Sequence, residues 1–120
     1  MGLTIAEVSE RTGLSPHTLR YYERDGLMLH DVDRTPSGRR EYTEQDVTGL
    51  LMVAKLRATG MPVREVRRYA ELVRTGSGNE RERLAILEAH RERVLAQLAE
   101  ITENLNAVEA KIGFYREALT

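Results

Sequence analysis

The sequence contains no cysteine among its 120 residues. Disulfides, thiolate metal sites and thiol-based redox sensing are therefore excluded. Aromatic residues make up only 5% of the chain while 31% of residues are charged, a balance typical of helical proteins with long solvated faces. No apolar run approaches the ~18 residues that a membrane span needs, and the N-terminus has no signal-peptide character. We therefore expect a cytoplasmic protein without a membrane partner.

An excess of charge of one sign is also missing, because the formal net charge is −1. DNA-binding domains are usually plainly basic, so only local clusters of arginine can support DNA binding here. The parts of an active site are missing too, since there is no Gly-rich phosphate loop and no supported Ser/His/Asp arrangement. The three histidines, His17, His30 and His90, lie far apart in sequence. We therefore expect no enzyme, no catalytic residue, no metal site and no cofactor.

Signals for the start and end of a first helix lie close to the N-terminus. Thr4 and Glu7 have the spacing of a capping box, in which each side chain satisfies a free backbone amide of the other. Gly13 is a typical C-terminal stop because glycine adopts the left-handed conformation at little cost. The pattern predicts a helix over residues 5–12.

A second helix is predicted directly after the first. Ser15 is a good N-cap, and Pro16 at the first helical position loses no hydrogen bond that the helix would make. This helix is predicted over residues 16–24, separated from the first by a tight turn at 13–15. Two short helices with this spacing predict a helix-turn-helix, whose second helix lies in the major groove of DNA.

The segment after Gly26 predicts a β-hairpin wing followed by two further helices. A polar stretch over residues 31–40, with Pro36-Ser37-Gly38 at its tip, separates two short predicted strands. A capped third helix opens at Thr43 and ends at Gly60, and Met61-Pro62 starts a fourth. Together these last two helices predict a second wing.

The C-terminal third of the chain carries a heptad pattern, interrupted only by Arg91. Its apolar positions are Leu84, Leu87, Val94, Leu98, Ile101, Leu105, Val108, Ile112, Tyr115 and Leu119. As a helix this stripe extends about 54 Å and requires a partner helix, either the protein's own head or, as we favour, a second copy. Leucine at a and β-branched residues at d reverse the preference of parallel dimers, which favours an antiparallel pair or a higher oligomer.

The predicted fold is therefore mainly α. A winged helix-turn-helix head is expected over residues 1–75, a Gly-Ser linker over 76–79, and a coiled-coil dimerisation helix over 80–120. Phe114 and Tyr115 near the end of that helix are candidates either for core packing in the coiled coil or for lining a small effector pocket.

The head closely resembles the MerR family of bacterial transcriptional regulators. The matching strings are Thr4-Ile5-Ala6-Glu7-Val8, Thr12-Gly13-Leu14-Ser15, Thr18-Leu19-Arg20-Tyr21-Tyr22-Glu23-Arg24, Gly26-Leu27, Gly38-Arg39-Arg40-Glu41-Tyr42, Asp46-Val47, Leu56-Arg57, Gly60-Met61 and Glu65-Val66. The resemblance extends to about Val73, roughly 60% of the chain. It looks like a short form of the family, without a separate effector domain.

The resemblance implies a homodimer whose two heads enter successive major grooves on one face of a palindromic promoter site, joined by an antiparallel coiled coil. Such regulators distort promoter DNA so that RNA polymerase engages both promoter elements. Whether this chain activates or represses, and which small-molecule effector it answers to, stay open. The alternative function is a coiled-coil adaptor that binds protein instead of DNA.

Donors on the second helix, the hairpin wing and the second wing are the candidate DNA contacts. They are Ser15, His17, Thr18, Arg20, Tyr21, Arg34, Arg39, Arg40, Tyr42, Arg57, Arg64, Arg67 and Arg68. Arg20 is the first candidate for a base contact, with pairing to Glu7 or Glu23 as its alternative. The others are expected mainly at phosphates, with a core role for the Tyr42 ring and ion pairs of the second-wing arginines as alternatives.

Overall fold

A computed structural model of the protein describes residues 2–120. The elements are α1 (Ile5–Thr12), α2 (Pro16–Arg24), β1 (Asp33–Arg34), β2 (Arg40–Glu41), α3 (Glu44–Ala58), α4 (Val63–Thr75) and α5 (Glu80–Ala118). The prediction of a mainly helical chain, with a winged helix-turn-helix head and a long C-terminal helix, is confirmed.

Local capping fixes the ends of the first two helices. The Thr4 hydroxyl accepts a hydrogen bond from the Glu7 amide at 3.2 Å, and the Glu7 carboxylate accepts one from the Thr4 amide at 2.9 Å. Gly13 ends α1 with a φ of 77°, a conformation in which a Cβ would be strained. The predicted bounds of α1 and α2 are confirmed, because they depend on side chains within one turn of each end.

The wing is a minimal antiparallel hairpin. Asp33 pairs with Glu41, and Arg34 pairs with Arg40. At the tip, the Thr35 amide donates to the Arg39 carbonyl at 2.8 Å, and Gly38 turns the chain with a φ of 87°. Paired backbone hydrogen bonds between residues 3 and 42 attach the base of the hairpin to the segment before α1.

The core of the head lies between its helices. Val8 of α1, Leu19 of α2, Val53 of α3 and Val66 of α4 are each completely buried. Tyr22 is also buried, so Leu19 and Tyr22 form the inner side of α2. That inner side fixes which residues of α2 face outward, since helical neighbours at intervening positions lie on the opposite face.

The described residues divide into two compact units, one ending at Ile86 and the other comprising Leu87–Thr120. The expected linker, residues 76–79, separates α4 from α5, and α5 runs on into the second unit. No helix of residues 2–120 combines the length and the apolar character needed to cross a membrane. The heptad positions differ in solvent exposure. Leu87 and Val94 are half-buried, whereas Leu84 and the positions from Leu98 onward are exposed.

Candidate nucleic-acid interface

The outward face of α2 carries the predicted base-reading residues. Arg20 and His17 are exposed. Among residues 2–120 the Arg20 guanidinium forms no hydrogen bond or ion pair. Its predicted alternative, a pair with Glu7 or Glu23, is not formed, because Glu7 caps α1 and Glu23 binds two other arginines. Arg20 therefore presents its donors to solvent.

The other α2 candidates are partly engaged within the helix. The Ser15 hydroxyl caps α2 by accepting the Thr18 amide at 3.1 Å, and it lies 3.0 Å from the Thr18 hydroxyl. The Tyr21 ring lies 6.0 Å from the Tyr22 ring, and the Arg24 guanidinium lies over it at 5.7 Å. These contacts cap and stabilise α2, and Ser15 is nevertheless exposed to solvent.

A basic cleft lies between α2 and the wing. Its volume is about 340 Å³, and its lining residues are Thr4, Ile5, Arg20, Arg34, Gly38, Arg39 and Arg40. Four arginine residues thus line one concave surface, and no carboxylate residue is part of the lining. Such a surface suits the anionic phosphates and the acceptor-rich base edges of DNA.

The three wing arginines are held differently. Arg39 is exposed and forms no side-chain hydrogen bond or ion pair within the described part of the chain. Arg34 donates to the Gly38 carbonyl at 3.2 Å and to the Glu23 carboxylate at 3.1 Å. The Arg40 Nε also donates to Glu23, and this pairing raises the pKa of Arg40. Arg39 is therefore the wing's free cation, while Arg34 and Arg40 also hold the wing in place.

Tyr42 lies in the core and not on the wing surface. The residue is completely buried, and burial raises its pKa. Its hydroxyl has no hydrogen-bond partner among the described residues. A phosphate cannot reach a group enclosed in this way, so the structure corresponds to the core alternative for Tyr42 and not to the predicted phosphate contact.

The second-wing arginines, Arg57, Arg64, Arg67 and Arg68, are held in different ways, and Arg68 forms an ion pair as its predicted alternative has it. The Arg57 Nη1 donates to the Met61 carbonyl at 2.6 Å, and the Arg67 Nε donates to the Asp25 carbonyl at 2.7 Å. Arg68 pairs with Glu71 and Glu82 at 2.9 and 2.7 Å. Only Arg64 of the predicted four is exposed without such a partner in residues 2–120.

Arg74 and Glu23 form contacts between distant segments that were not predicted from the sequence. Arg74 donates from Nη1 to the Gly26 carbonyl at 3.1 Å and also to the Met28 carbonyl, which joins α4 to the segment after α2. Its position seven residues after Arg67 places both on one helix face and was a usable signal. Glu23 was noted only as an alternative partner of Arg20, and nothing local in the sequence points to its pairs with the wing.

Family models match most of the chain. A model described as MerR HTH family regulatory protein matches residues 3–72, and one described as MerR, DNA binding matches residues 47–111. The chain belongs to the MerR family. The predicted resemblance is thereby confirmed, and it extends beyond the head into α5.

Full-length similarities agree with this assignment. An uncharacterized HTH-type transcriptional regulator of Haemophilus influenzae is 36% identical over 98% of this chain and 87% of its own length. The crystal structure of HiNmlR, described as a MerR family regulator lacking the sensor domain and bound to promoter DNA, has a TM-score of 0.88 at 35% identity, covering 98% of this chain and 93% of that one. A MerR family regulator of Listeria monocytogenes has a TM-score of 0.90 at 31% identity, covering 94% and 85%.

The chain is therefore a DNA-binding transcriptional regulator of the MerR type. These relatives are regulators, and the adaptor alternative is not favoured. Within residues 2–120 no group of three or more metal-ligating His, Asp or Glu side chains comes together.

Proposed function

We propose that this MerR regulator binds a palindromic promoter site as a homodimer and controls transcription by distorting the DNA for RNA polymerase. The observation that carries the proposal is the basic cleft between α2 and the wing, where Arg20 and Arg39 have no hydrogen-bond or ion-pair partner among residues 2–120. Free guanidinium groups can donate to DNA without first losing an ion pair, so no carboxylate must be displaced at these two positions.

Within this interface the proposed roles divide by position. Arg20 and His17 on the outer face of α2 contact base edges, because a recognition helix places that face in the major groove. Ser15, Thr18 and Tyr21 at and along α2 contact the adjoining phosphates. Arg34, Arg39 and Arg40 contact phosphates from the wing, and Arg64 does so from α4.

The interface is tested with Arg20→Ala and Arg39→Ala, measured by fluorescence anisotropy on the promoter site and on random DNA. Arg20→Ala should weaken specific binding by about 1–3 kcal/mol and leave random DNA nearly unaffected. Arg39→Ala should weaken both DNAs alike and reduce the salt dependence. Arg116→Ala removes the same charge from an exposed position of α5 and serves as the control.

Two results would contradict this interface. Equal losses on specific and random DNA for both variants would show that the roles of Arg20 and Arg39 are misassigned. Binding that is absent, or that does not weaken as salt rises, would contradict DNA binding by counterion release.

The proposed dimer forms through the heptad stripe of α5. Leu98, Ile101, Leu105 and Val108 are each at least 54% exposed, and a stripe of this kind is stable only when another apolar surface covers it. A second copy of the chain is the proposed cover, since the stripe is complementary to itself. The remaining proposed contacts along the pair are Val94, Ile112, Tyr115 and Leu119.

Charge pattern favours an antiparallel pair. In a parallel pair, Lys111 at position g would face Arg116 of the partner subunit at position e, a like-charge contact made twice. An antiparallel pair avoids this contact. Layering Leu105 against Val108 of the partner subunit also brings Leu98 opposite Tyr115 of the partner subunit. The same register leaves Leu84, Leu87 and Arg91 outside the paired stretch, so the predicted dimer contacts of Leu84 and Leu87 are not part of it.

The absence of native cysteine makes the orientation directly testable. In the antiparallel register, the two copies of position 98 lie about 25 Å apart along the coiled coil. A disulfide needs Cα atoms within about 7 Å, so Leu98→Cys alone should not cross-link, and Tyr115→Cys alone should not either. A mixture of the two variants should cross-link under oxidation. Cross-linking of Leu98→Cys by itself would contradict the proposed orientation.

The proposed distortion of the promoter makes a separate prediction. In-vitro transcription is measured from the bound promoter and from versions whose spacer is shortened one base pair at a time. Activation that depends on the native spacer, and that is lost in the shortened series, supports distortion. Regulation that is indifferent to spacer length would contradict it.

A further inference from the structure

Glu23 connects the recognition helix to both strands of the wing. It lies in the last turn of α2, and its side chain is 22% exposed. Its Oε2 accepts from Nη2 of Arg34 on β1 at 3.1 Å, and its Oε1 accepts from Nε of Arg40 on β2. Each carboxylate oxygen therefore serves a different strand.

The hairpin register explains why a single carboxylate can do this. Arg34 and Arg40 are directly paired across the two strands, so their positive side chains are neighbours. Like charges directly opposite one another destabilise a strand pair. A carboxylate between them removes this repulsion and converts it into attraction to α2. Arg34 also donates to the Gly38 carbonyl, so the contact reaches the hairpin tip.

Both arginine partners of Glu23 also line the basic cleft. Arg20 lies three residues before Glu23, about one helical turn, and it lines the cleft together with Arg34, Arg39 and Arg40. Arg39 follows Gly38 at the tip that Arg34 holds. Glu23 therefore links the helix that carries Arg20 to the hairpin that carries Arg39.

We propose that Glu23 is a positioning residue, whose bidentate contact with Arg34 and Arg40 sets the spacing between the Arg20 and Arg39 guanidinium groups and so couples base reading to phosphate binding. This inference rests on the proposed DNA interface. It assigns a function in DNA recognition to an acidic residue that itself touches no DNA.

A purely electrostatic role for Glu23 and a positioning role predict opposite changes in the promoter affinity of Glu23→Gln. Removing a negative charge beside DNA should tighten binding to every sequence, because repulsion of phosphates is lost. Losing the contact that places the wing should instead weaken binding to the correct site. The neutral amide has nearly the same shape but cannot attract two guanidinium groups through two anionic oxygens.

The experiment compares Glu23→Gln with Asp33→Asn by fluorescence anisotropy on promoter and random DNA. Asp33 is the matched control, since it is exposed beside Arg34 on the same hairpin and forms no side-chain contact in residues 2–120. Glu23→Gln should lose about threefold to tenfold in affinity for the promoter site, with random DNA unchanged or bound more tightly. Asp33→Asn should tighten both DNAs by the same factor.

Two further measurements separate positioning from general destabilisation. Hydrogen exchange of the wing amides of Gly38 and Arg39 should accelerate in Glu23→Gln while exchange in α3 is unchanged. Glu23→Asp keeps the charge but shortens the side chain by one methylene. Under the proposal this variant should also lose promoter specificity, and it supplies the test if the amide variant does not fold.

The proposal is overturned if Glu23→Gln tightens both DNAs as the control does, if it weakens both by an equal factor, or if Glu23→Asp behaves as wild type. Each of these results, with wild-type binding intact, leaves the proposed DNA interface standing. Failure of that interface would instead appear as absent or salt-insensitive binding of the wild-type chain.

Discussion

Arg74 and Arg64 lie on the same helix, but their surroundings differ. Arg74 is half-buried and donates to the Gly26 and Met28 carbonyls, whereas Arg64 is exposed without a protein partner in the described chain. Replacing Arg74 should therefore destabilise the head and leave DNA contacts unchanged. Replacing Arg64 should do the reverse. Methionine is the substitution of choice for both, since it retains the apolar stem.

The magnitude follows from the contacts of Arg74. A hydrogen bond to a charged donor contributes about 1.5–3 kcal/mol, and leaving a carbonyl without its partner costs a comparable amount. One nitrogen serves both carbonyls, and the residue is partly open to water, so the two contacts are not additive. We expect Arg74→Met to lower the free energy of unfolding by about 2 kcal/mol. Arg64→Met should stay within about 0.5 kcal/mol of wild type.

Urea unfolding followed by circular dichroism gives the stabilities, and anisotropy at a temperature where every variant is folded gives the DNA affinities. Arg64→Met should weaken promoter and random DNA alike, as expected for a phosphate contact. The reasoning is refuted if Arg74→Met unfolds at the wild-type urea concentration. It is equally refuted if the folded Arg74→Met variant loses DNA affinity as Arg64→Met does.

Two further predictions concern a buried hydroxyl and an exposed ion pair. Tyr42→Phe removes a buried hydroxyl without a partner in residues 2–120, so urea unfolding should show stability unchanged or raised by up to about 1 kcal/mol; weaker DNA binding by this variant would show that the hydroxyl reaches phosphate. Arg11 on α1 donates from Nη2 to the Glu44 carboxylate on α3 at 2.7 Å, and this hydrogen bond lowers the pKa of Glu44 below its ordinary value of 4.5. The Thr4 backbone amide lowers the pKa of Glu7 in the same way. The contribution of these two carboxylates to folding stability is present above pH 4.5 and is lost as the pH falls through their lowered pKa values in the folded state. Glu44→Gln should therefore flatten the acid limb of a plot of stability against pH. An unchanged acid limb would contradict this.

The helix ends were predictable because their causes are local. Thr4, Gly13 and Ser15 each act within one turn of the end they determine, and all three ends were placed correctly. The inner face of α2 was equally accessible, because Leu19 and Tyr22 follow the helical period. The hairpin was predicted from its turn residues, but the length of its two-residue strands was not, since strand pairing depends on the partner segment.

The roles of the arginines were not predictable in the same way. Arg67 donates to the carbonyl of Asp25, 42 residues away, and Arg74 donates to that of Met28, 46 residues away. Spacing along α4 places arginines on faces of the helix but does not show which backbone carbonyls approach each face. A free arginine and a carbonyl-bound one therefore look alike in the sequence, and only tertiary packing distinguishes them.

This distinction bears on how a chain with a net charge of −1 can bind DNA. Net charge counts Arg34, Arg40 and Arg68 as cations, although each already lies against a carboxylate. Arg20 and Arg39 line one cleft without an ion-pair partner in residues 2–120, and the local field there depends on them more than on the total charge. Each phosphate neutralised adds about 0.9 to the salt slope on duplex DNA, and a paired arginine adds less because its carboxylate stays nearby. The slope should therefore be shallower than the arginine count of the head suggests, and the specificity of binding should depend on where the few free arginines are held.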